Sequence, residues 1–239
     1  MGLFDKKFCD ICGGKIGLLG NRKLDDGNLC KDCAALLSPF MTDRRRTTVD
    51  GIKEHLAYRE ENKKAVEAFN LTRTLGTGTK VLLDEDAQKF IVTSSSRWQS
   101  TNPDVIDFTQ VTGCQTEIKE SRTEIKRPGK DGKEESYNPP RYDIDYDFHI
   151  TININSPWFS DINFKINGSR IEERTSVEYR EADKQAREIK DVLTNVRQSV
   201  RETVAAANAP KVAKICPLCG ATSIPDANGC CEYCGGAMG

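Results

Sequence analysis

Eight of the ten cysteines in this chain fall into four Cys-x-x-Cys pairs, two near each end. Cys9, Cys12, Cys30 and Cys33 lie in "FCDICGGKIGLLGNRKLDDGNLCKDC". Cys216, Cys219, Cys231 and Cys234 lie in "ICPLCGATSIPDANGCCEYC". Each cassette is too short to bury a hydrophobic core of its own. Two Cys-x-x-Cys turns that face each other instead build a tetrahedral cage of four thiolates. A bound metal then supplies most of the folding free energy, roughly 10–16 kcal/mol in modules of this kind. The spacing therefore predicts two structural Zn2+ sites, one per cassette. Four thiolates leave no open coordination position, and neither His55 nor His149 lies inside a cassette, so the sites read as structural rather than catalytic. A rubredoxin-type iron site uses the same four sulfurs, and geometry does not separate it from zinc. Thioredoxin-like chemistry needs a lone dithiol, which paired motifs argue against. Gly13, Gly220 and Gly235 follow three of the four turns, as tight knuckles require. Cys230 lacks the spacing of a ligand and reads as a bystander. Cys114 reads as a small core residue in a strand.

The two cassettes differ on their C-terminal sides. "AALLSPF" after Cys33 predicts a short helix ended by Pro39. The first cassette then reads as a knuckle, a hairpin through "LLGNRKLDDGNL" and a second knuckle that opens a helix, in the manner of treble-clef or LIM-like modules. The second ends in "CGGAMG" and reads as a plain zinc ribbon.

Composition narrows the setting. Charged residues make up 30% of the 239 and hydrophobic ones 37%, with a net charge of -1. No global basic field draws in nucleic acid or an acidic membrane. No run approaches the ~20 apolar residues of a membrane span, and "MGLFDKKFCDIC" has no apolar signal region. The Met-Gly start carries Lys6 where a myristoylation pattern has Ser or Thr. The expectation is an intracellular, reduced, cytoplasmic protein, in which paired cysteines bind metal rather than form disulfides.

Between the cassettes, "MTDRRRTTVDGIKEH" reads as a basic linker. A helix is expected from Val49 to Leu75, with Asp50 as a possible N-cap and Gly76 and Gly78 ending it. Its apolar stripe of Ile52, Leu56, Val66 and Phe69 is thin and interrupted by Arg59 and Asn62, which suits a helix on a surface or between modules. "TKVLLDEDAQKFIVTS" reads as a hairpin turning near Glu85 to Ala87. "DVIDFTQVTGCQTEIKESRTEIK" supplies one or two strands, and "DINFKING" another. In "RYDIDYDFHITININ", Tyr142, Ile144, Tyr146, Phe148, Ile150, Ile152 and Ile154 alternate onto one face, the signature of a half-buried antiparallel strand. "KRPGKDGKEESYNPP" reads as a charged, mobile hairpin loop. A second helix from Ser176 to Ala207 carries the stripe Val177, Ala182, Ala186, Ile189, Leu193, Val196 and Val200.

The expected fold is α+β. An antiparallel PH-like (pleckstrin-homology-like) β-barrel closed by a C-terminal helix is flanked by two small four-cysteine zinc modules. The expected divisions are 1–42 for the first module, 43–76 for the linker and helix, 77–207 for the β domain and 208–239 for the ribbon.

The stretch "FCDICGGKIGLLGNRKLDDGNLCKDC" resembles the N-terminal zinc-binding domain of an uncharacterised family found widely in Gram-positive bacteria, over roughly residues 8 to 40. Members often carry a PH-like or uncharacterised middle region and sometimes a C-terminal zinc ribbon. The resemblance implies a bacterial protein with zinc on Cys9, Cys12, Cys30 and Cys33, and no defined activity. The C-terminal cassette resembles zinc ribbons in general.

No catalytic constellation stands out. His149 falls on the polar face of its strand and His55 in a charged helix, both expected to be solvated. "GTGTK" at 76–80 precedes a strand and lacks P-loop spacing, so it reads as a turn. Asp143, Asp145 and Asp147 read as a solvated sheet face rather than a cation site. The sequence therefore points to a non-enzymatic zinc-binding adaptor or scaffold with a protein partner. Nucleic-acid binding is the alternative raised by Lys6, Lys7, Lys15, Arg22, Lys23 and the Arg44–Arg46 run. Peripheral lipid binding by the PH-like region and electron transfer at an iron site are the others.

Overall fold

Hydrophobic runs and alternating strands organise the middle of the chain. A computed structural model describes residues 7–129, 131–208, 213–226 and 229–238, with the backbone alone for 196–208. The chain divides into two compact units at Arg197.

In the first unit, β1 (Lys7–Phe8) pairs with β2 (Lys15–Ile16), and β3 (Arg22–Lys23) with β4 (Asn28–Leu29). Helix α1 (Lys31–Ala35) and a 3-10 turn (Arg44–Arg46) lead to helix α2 (Val49–Ala68). A four-stranded antiparallel sheet follows, in the order β5 (Arg73–Leu75), β6 (Lys80–Asp84), β7 (Lys89–Thr93), β8 (Val105–Asp107). β9 (Val111–Pro128), β10 (Glu134–Ile154) and β11 (Asp161–Lys165) form a three-stranded sheet with β10 in the centre. Helix α3 (Val177–Asn208) comes next. In the second unit, β12 (Lys214–Ile215) pairs with β13 (Thr222–Ser223).

The two larger sheets share one core. Val81, Leu83, Phe90, Val92 and Ile106 meet Phe148, Ile150, Ile152, Ile162 and Phe164, and Ala186, Ile189 and Leu193 of α3 close over them. The β10 alternation is realised: Tyr146, Phe148, Ile150, Ile152 and Ile154 are buried, while Ile144 is half-buried and Tyr142 is exposed. Cys114 is buried in this core as expected. The β6 and β7 runs are buried on both faces, because Leu82 and Ile91 pack outward against Phe69 and Trp98. Along α3, Ala182, Ala186, Ile189 and Leu193 are buried, whereas Val177 is exposed. The Val196 and Val200 side chains lie outside the described residues.

Five expectations change. Among the described residues strand pairing closes no barrel: the two larger sheets remain separate groups of four and three. They meet at one corner, where the N–H groups of Thr77 and Gly78 donate to the Ile166 carbonyl at 2.9 and 2.7 Å. This is the "GTGTK" turn, and Gly78 approaches Gly168 so closely that a Cβ there would stand 2.9 Å from the Gly168 backbone. The helix expected to reach Leu75 stops at Ala68, because Asp84 accepts the Asn70 N–H at 2.8 Å and Thr72 donates its N–H to Leu83 at 2.8 Å, which starts strand pairing. Its N-cap is Thr48, whose hydroxyl accepts the Gly51 N–H, and Asp50 sits in the first turn. The charged segment expected to be a loop is largely a β-ribbon: Glu134, Glu135 and Ser136 pair with Pro128, Arg127 and Lys126. An irregularity between Ser136 and Arg141 lets Tyr137 stack against the Arg141 and Arg127 guanidinium groups, 4.7 and 5.7 Å from its ring centre. Finally, His55 is fully buried rather than solvated.

Candidate metal centres

Each cassette draws four sulfurs together. In Cys9, Cys12, Cys30 and Cys33, and again in Cys216, Cys219, Cys231 and Cys234, all ligand atoms lie within 4.8 Å of one another. The Cys12–Cys30 sulfurs are 3.8 Å apart, Cys216–Cys234 3.5 Å and Cys219–Cys231 3.7 Å. A tetrahedron with metal–sulfur bonds of about 2.3 Å has edges of about 3.8 Å, so these separations suit a single ion. They are far too long for a disulfide bond, and none of the ten cysteines forms one. Cys230 and Cys114 lie outside both groups.

Three of the four knuckles share one backbone pattern. Gly13 N–H donates to Cys9 C=O at 2.8 Å, and Cys9 N–H to Gly14 C=O at 2.9 Å. Gly220 and Cys216 repeat this with Ala221, and Gly235 and Cys231 with Gly236. The glycine in each has φ of 70 to 73°, which a Cβ would oppose. The fourth pair uses a helix instead: Cys30 is the N-cap of α1, and its sulfur accepts the Cys33 N–H at 3.3 Å. The Cys9 sulfur accepts the Cys30 N–H at 3.3 Å, linking the two turns.

These contacts set the charge of the sulfurs. Burial opposes ionisation of Cys9, but the N–H groups of Cys12, Cys30 and Ile11 outweigh it and bring the thiol down to about 6. Cys231 falls to about 6, led by the Tyr233 N–H and opposed by burial. Cys33 is pushed up by burial and then by the neighbouring sulfurs of Cys30, Cys12 and Cys9. At Cys234 the Gly236 N–H favours the thiolate, yet the sulfurs of Cys219 and Cys216 drive it up to about 12. Like charges crowded into one cage produce this spread, and a divalent cation would relieve it.

The first module does not stand alone. Cys9, Cys33, Ile16, Leu24, Leu29 and Leu37 share a core with Ile52 of α2. A buried polar network then fastens α2 to the four-stranded sheet. Arg59 Nη1 donates to Asp104 at 2.7 Å, with both side chains almost wholly enclosed. Asp104 also accepts from Ser38 Oγ at 2.7 Å and Tyr58 OH at 3.0 Å. Arg59 reaches the Leu36 and Asn102 carbonyls. Asn62 donates to Asn102 and Pro103, each at 2.7 Å, and accepts the Val105 N–H at 2.9 Å. Ser38 N–H donates to His55 Nε2 at 2.9 Å, and the His55 ring meets Trp158 edge-on. The residues that interrupt the apolar stripe are therefore the ones that fill its buried face. Sequence periodicity weighs hydropathy and has no access to a partner 45 positions away.

The remaining candidates are also placed. Asp143 pairs with Arg170, Asp145 accepts the Ile171 N–H, and Asp147 pairs with Lys165 at 2.9 Å. Each carboxylate has its own partner. His149 is half-buried on β10, opposite Lys165 and Glu117.

Residues 7–55 match a family described as a domain of unknown function (DUF4428). The match takes in the first four-cysteine cluster and the opening turns of α2, well under half of the chain. Comparison with curated proteins and with solved structures gave no match. Among the described residues, no helix is long and apolar enough to cross a membrane.

Proposed function

We propose that this chain is a non-enzymatic, cytoplasmic adaptor or scaffold in which two structural zinc ions stiffen recognition modules carried by a PH-like β domain. The observation that carries the reading is the pair of four-sulfur groups, each with all its sulfurs within 4.8 Å of one another. Cys9, Cys12, Cys30 and Cys33 would hold one ion, and Cys216, Cys219, Cys231 and Cys234 the other. A bound zinc ion cross-links its loops and offers no position to a substrate. Free thiols grouped as ligands suit a reducing compartment, which supports the cytoplasmic assignment.

The order of four strands, three strands and a helix supports the PH-like assignment, and fold by itself names no ligand. The adaptor role is supported by how the first module is held. Its loops are exposed, while its base is locked to α2 and the sheet through Asp104. Loops held rigid in this way lose little freedom on binding, which favours recognition.

The test has two steps. Metal analysis and an absorption spectrum of protein purified without added metal should show two zinc ions per chain and no visible colour. Iron with a visible charge-transfer band would overturn the zinc assignment. Cross-linking in a bacterial lysate should then capture a protein partner through wild type but not through a Cys9→Ser/Cys30→Ser variant whose β domain stays folded. Equal capture by both would remove the first module from the adaptor role.

A further inference from the structure

The turn between β2 and β3 is Gly17-Leu18-Leu19-Gly20, closed by the Gly20 N–H donating to the Gly17 carbonyl at 3.0 Å. Its two corners are Leu18 and Leu19, 87% and 89% exposed, the most exposed large apolar side chains among the described residues. A tight corner ordinarily carries Gly, Asn, Asp or Ser. Two leucines there add nothing to the core of the module, whose buried residues lie elsewhere.

Cations gather around the base of this tip. Arg22 Nη1 donates back to the Leu19 carbonyl at 3.2 Å, so its guanidinium sits directly beneath the leucines. Lys15 and Lys23 are exposed on the flanking strands. The Arg44–Arg46 turn contacts β3. Arg44 is half-buried, and its Nε is enclosed without a hydrogen-bond partner. Burial first, and then the charges of Arg22 and Arg45, lower the pKa of Arg44, which marks these cations as close neighbours. Between Lys7 and Thr47 there are eight basic and five acidic residues. Two of the acids, Asp10 and Asp26, are engaged with the backbone N–H groups of Asn28 and Val49. Among the described residues, Lys15, Arg22, Lys23, Arg44, Arg45 and Arg46 take part in no ion pair.

We propose that the Leu18–Leu19 tip, with the arginine and lysine cluster at its base, docks the protein on the surface of an anionic lipid bilayer. The bilayer interface offers both things this surface lacks. Its phosphates meet the unpaired cations, and the acyl boundary just beneath takes the two leucines out of water. A nucleic acid would satisfy the cations but leave adjacent leucines solvated. The docking element is the tip of the first module rather than the β domain, and it does not depend on which protein the adaptor binds.

The experiment is co-sedimentation of the full, metal-loaded chain with vesicles. The protein should pellet with mixed phosphatidylserine–phosphatidylcholine vesicles, remain in the supernatant with phosphatidylcholine alone, and lose binding as salt rises. Leu18→Ser/Leu19→Ser should weaken partitioning about tenfold or more. Lys15→Glu/Lys23→Glu/Arg45→Glu should abolish it. These side chains are exposed, so metal content and circular dichroism should stay at wild-type values. Lys63→Glu/Lys64→Glu on α2 should pellet as wild type. Protein left in the supernatant with anionic vesicles at low salt would overturn the proposal. So would a leucine variant that pellets like wild type, or binding to unrelated DNA duplexes without binding to vesicles.

Discussion

Ser38 donates its backbone N–H to Nε2 of His55 across 2.9 Å, in a site closed to solvent. The acceptor nitrogen must be unprotonated for this bond to exist. Burial lowers the His55 pKa to about 4, with the Asp104 charge pulling the other way and the Arg59 charge adding to the fall. A base with a depressed pKa binds its proton more readily in the unfolded chain. Its contribution is therefore complete above the ordinary histidine range and is lost as the pH drops from about 6.5 toward 4. The loss should reach up to roughly 3 kcal/mol. Thermal midpoints between neutral and mildly acidic pH should fall in wild type and flatten in His55→Gln, and metal assays on the same samples separate this from acid release of the ion.

The Arg59–Asp104 pair should be costly to break from one side. Arg59→Ala leaves the Asp104 carboxylate enclosed beside Ser38 and Tyr58 hydroxyls with no balancing charge. The expected cost is about 3–5 kcal/mol. Urea denaturation of wild type, Arg59→Ala and the double variant Arg59→Met/Asp104→Asn measures it, and the double variant should recover part of the loss.

Metal stoichiometry should divide cleanly between the clusters. Cys33→Ser should remove one metal ion per chain and loosen the start of α2, because Cys33 and Ile52 share a core. Cys219→Ser should lower the count equally. Cys114→Ser, outside both groups, should retain both ions. Metal analysis with hydrogen exchange at residues 49–56 distinguishes these outcomes.

The knuckle glycines should matter through backbone conformation alone. At Gly13 and Gly220 an added Cβ meets nothing within 4 Å, yet φ is +70° and +73°. Alanine should therefore cost about 1–2 kcal/mol per site, seen as a roughly 5–30-fold weaker hold on metal in competition with a chelator. Asparagine, which tolerates this conformation better, should cost less.

What the sequence reveals here tracks the range of each interaction. Cysteine spacing and the β10 alternation are local, and both are visible in the residues themselves. Composition masks the β-ribbon, since its charged tip is held by pairing between Arg127 and Glu135 and by Tyr137 meeting Arg141. The fastening of α2 is hidden more deeply. Arg59 and Asn62 read as breaks in a stripe until Asn102 and Asp104, 40 to 45 residues along the chain, are brought beside them. The end of α2 escapes periodicity for a similar reason, because Leu83 recruits Thr72 into strand pairing from a distance.

The segment shared with the DUF4428 family ends at His55, one helical turn before Arg59. Ile52, which completes the core around the cysteines, falls inside it. Tyr58, Arg59 and Asn62, which secure the helix to the sheet, fall outside. The matched segment thus contains the core around the cysteines together with Ser38 and His55 of the buried network, while the Arg59–Asp104 pair lies beyond it. A change at Arg59 therefore reaches the metal module through Asp104 and Ser38, without touching any of the residues that surround the cysteines.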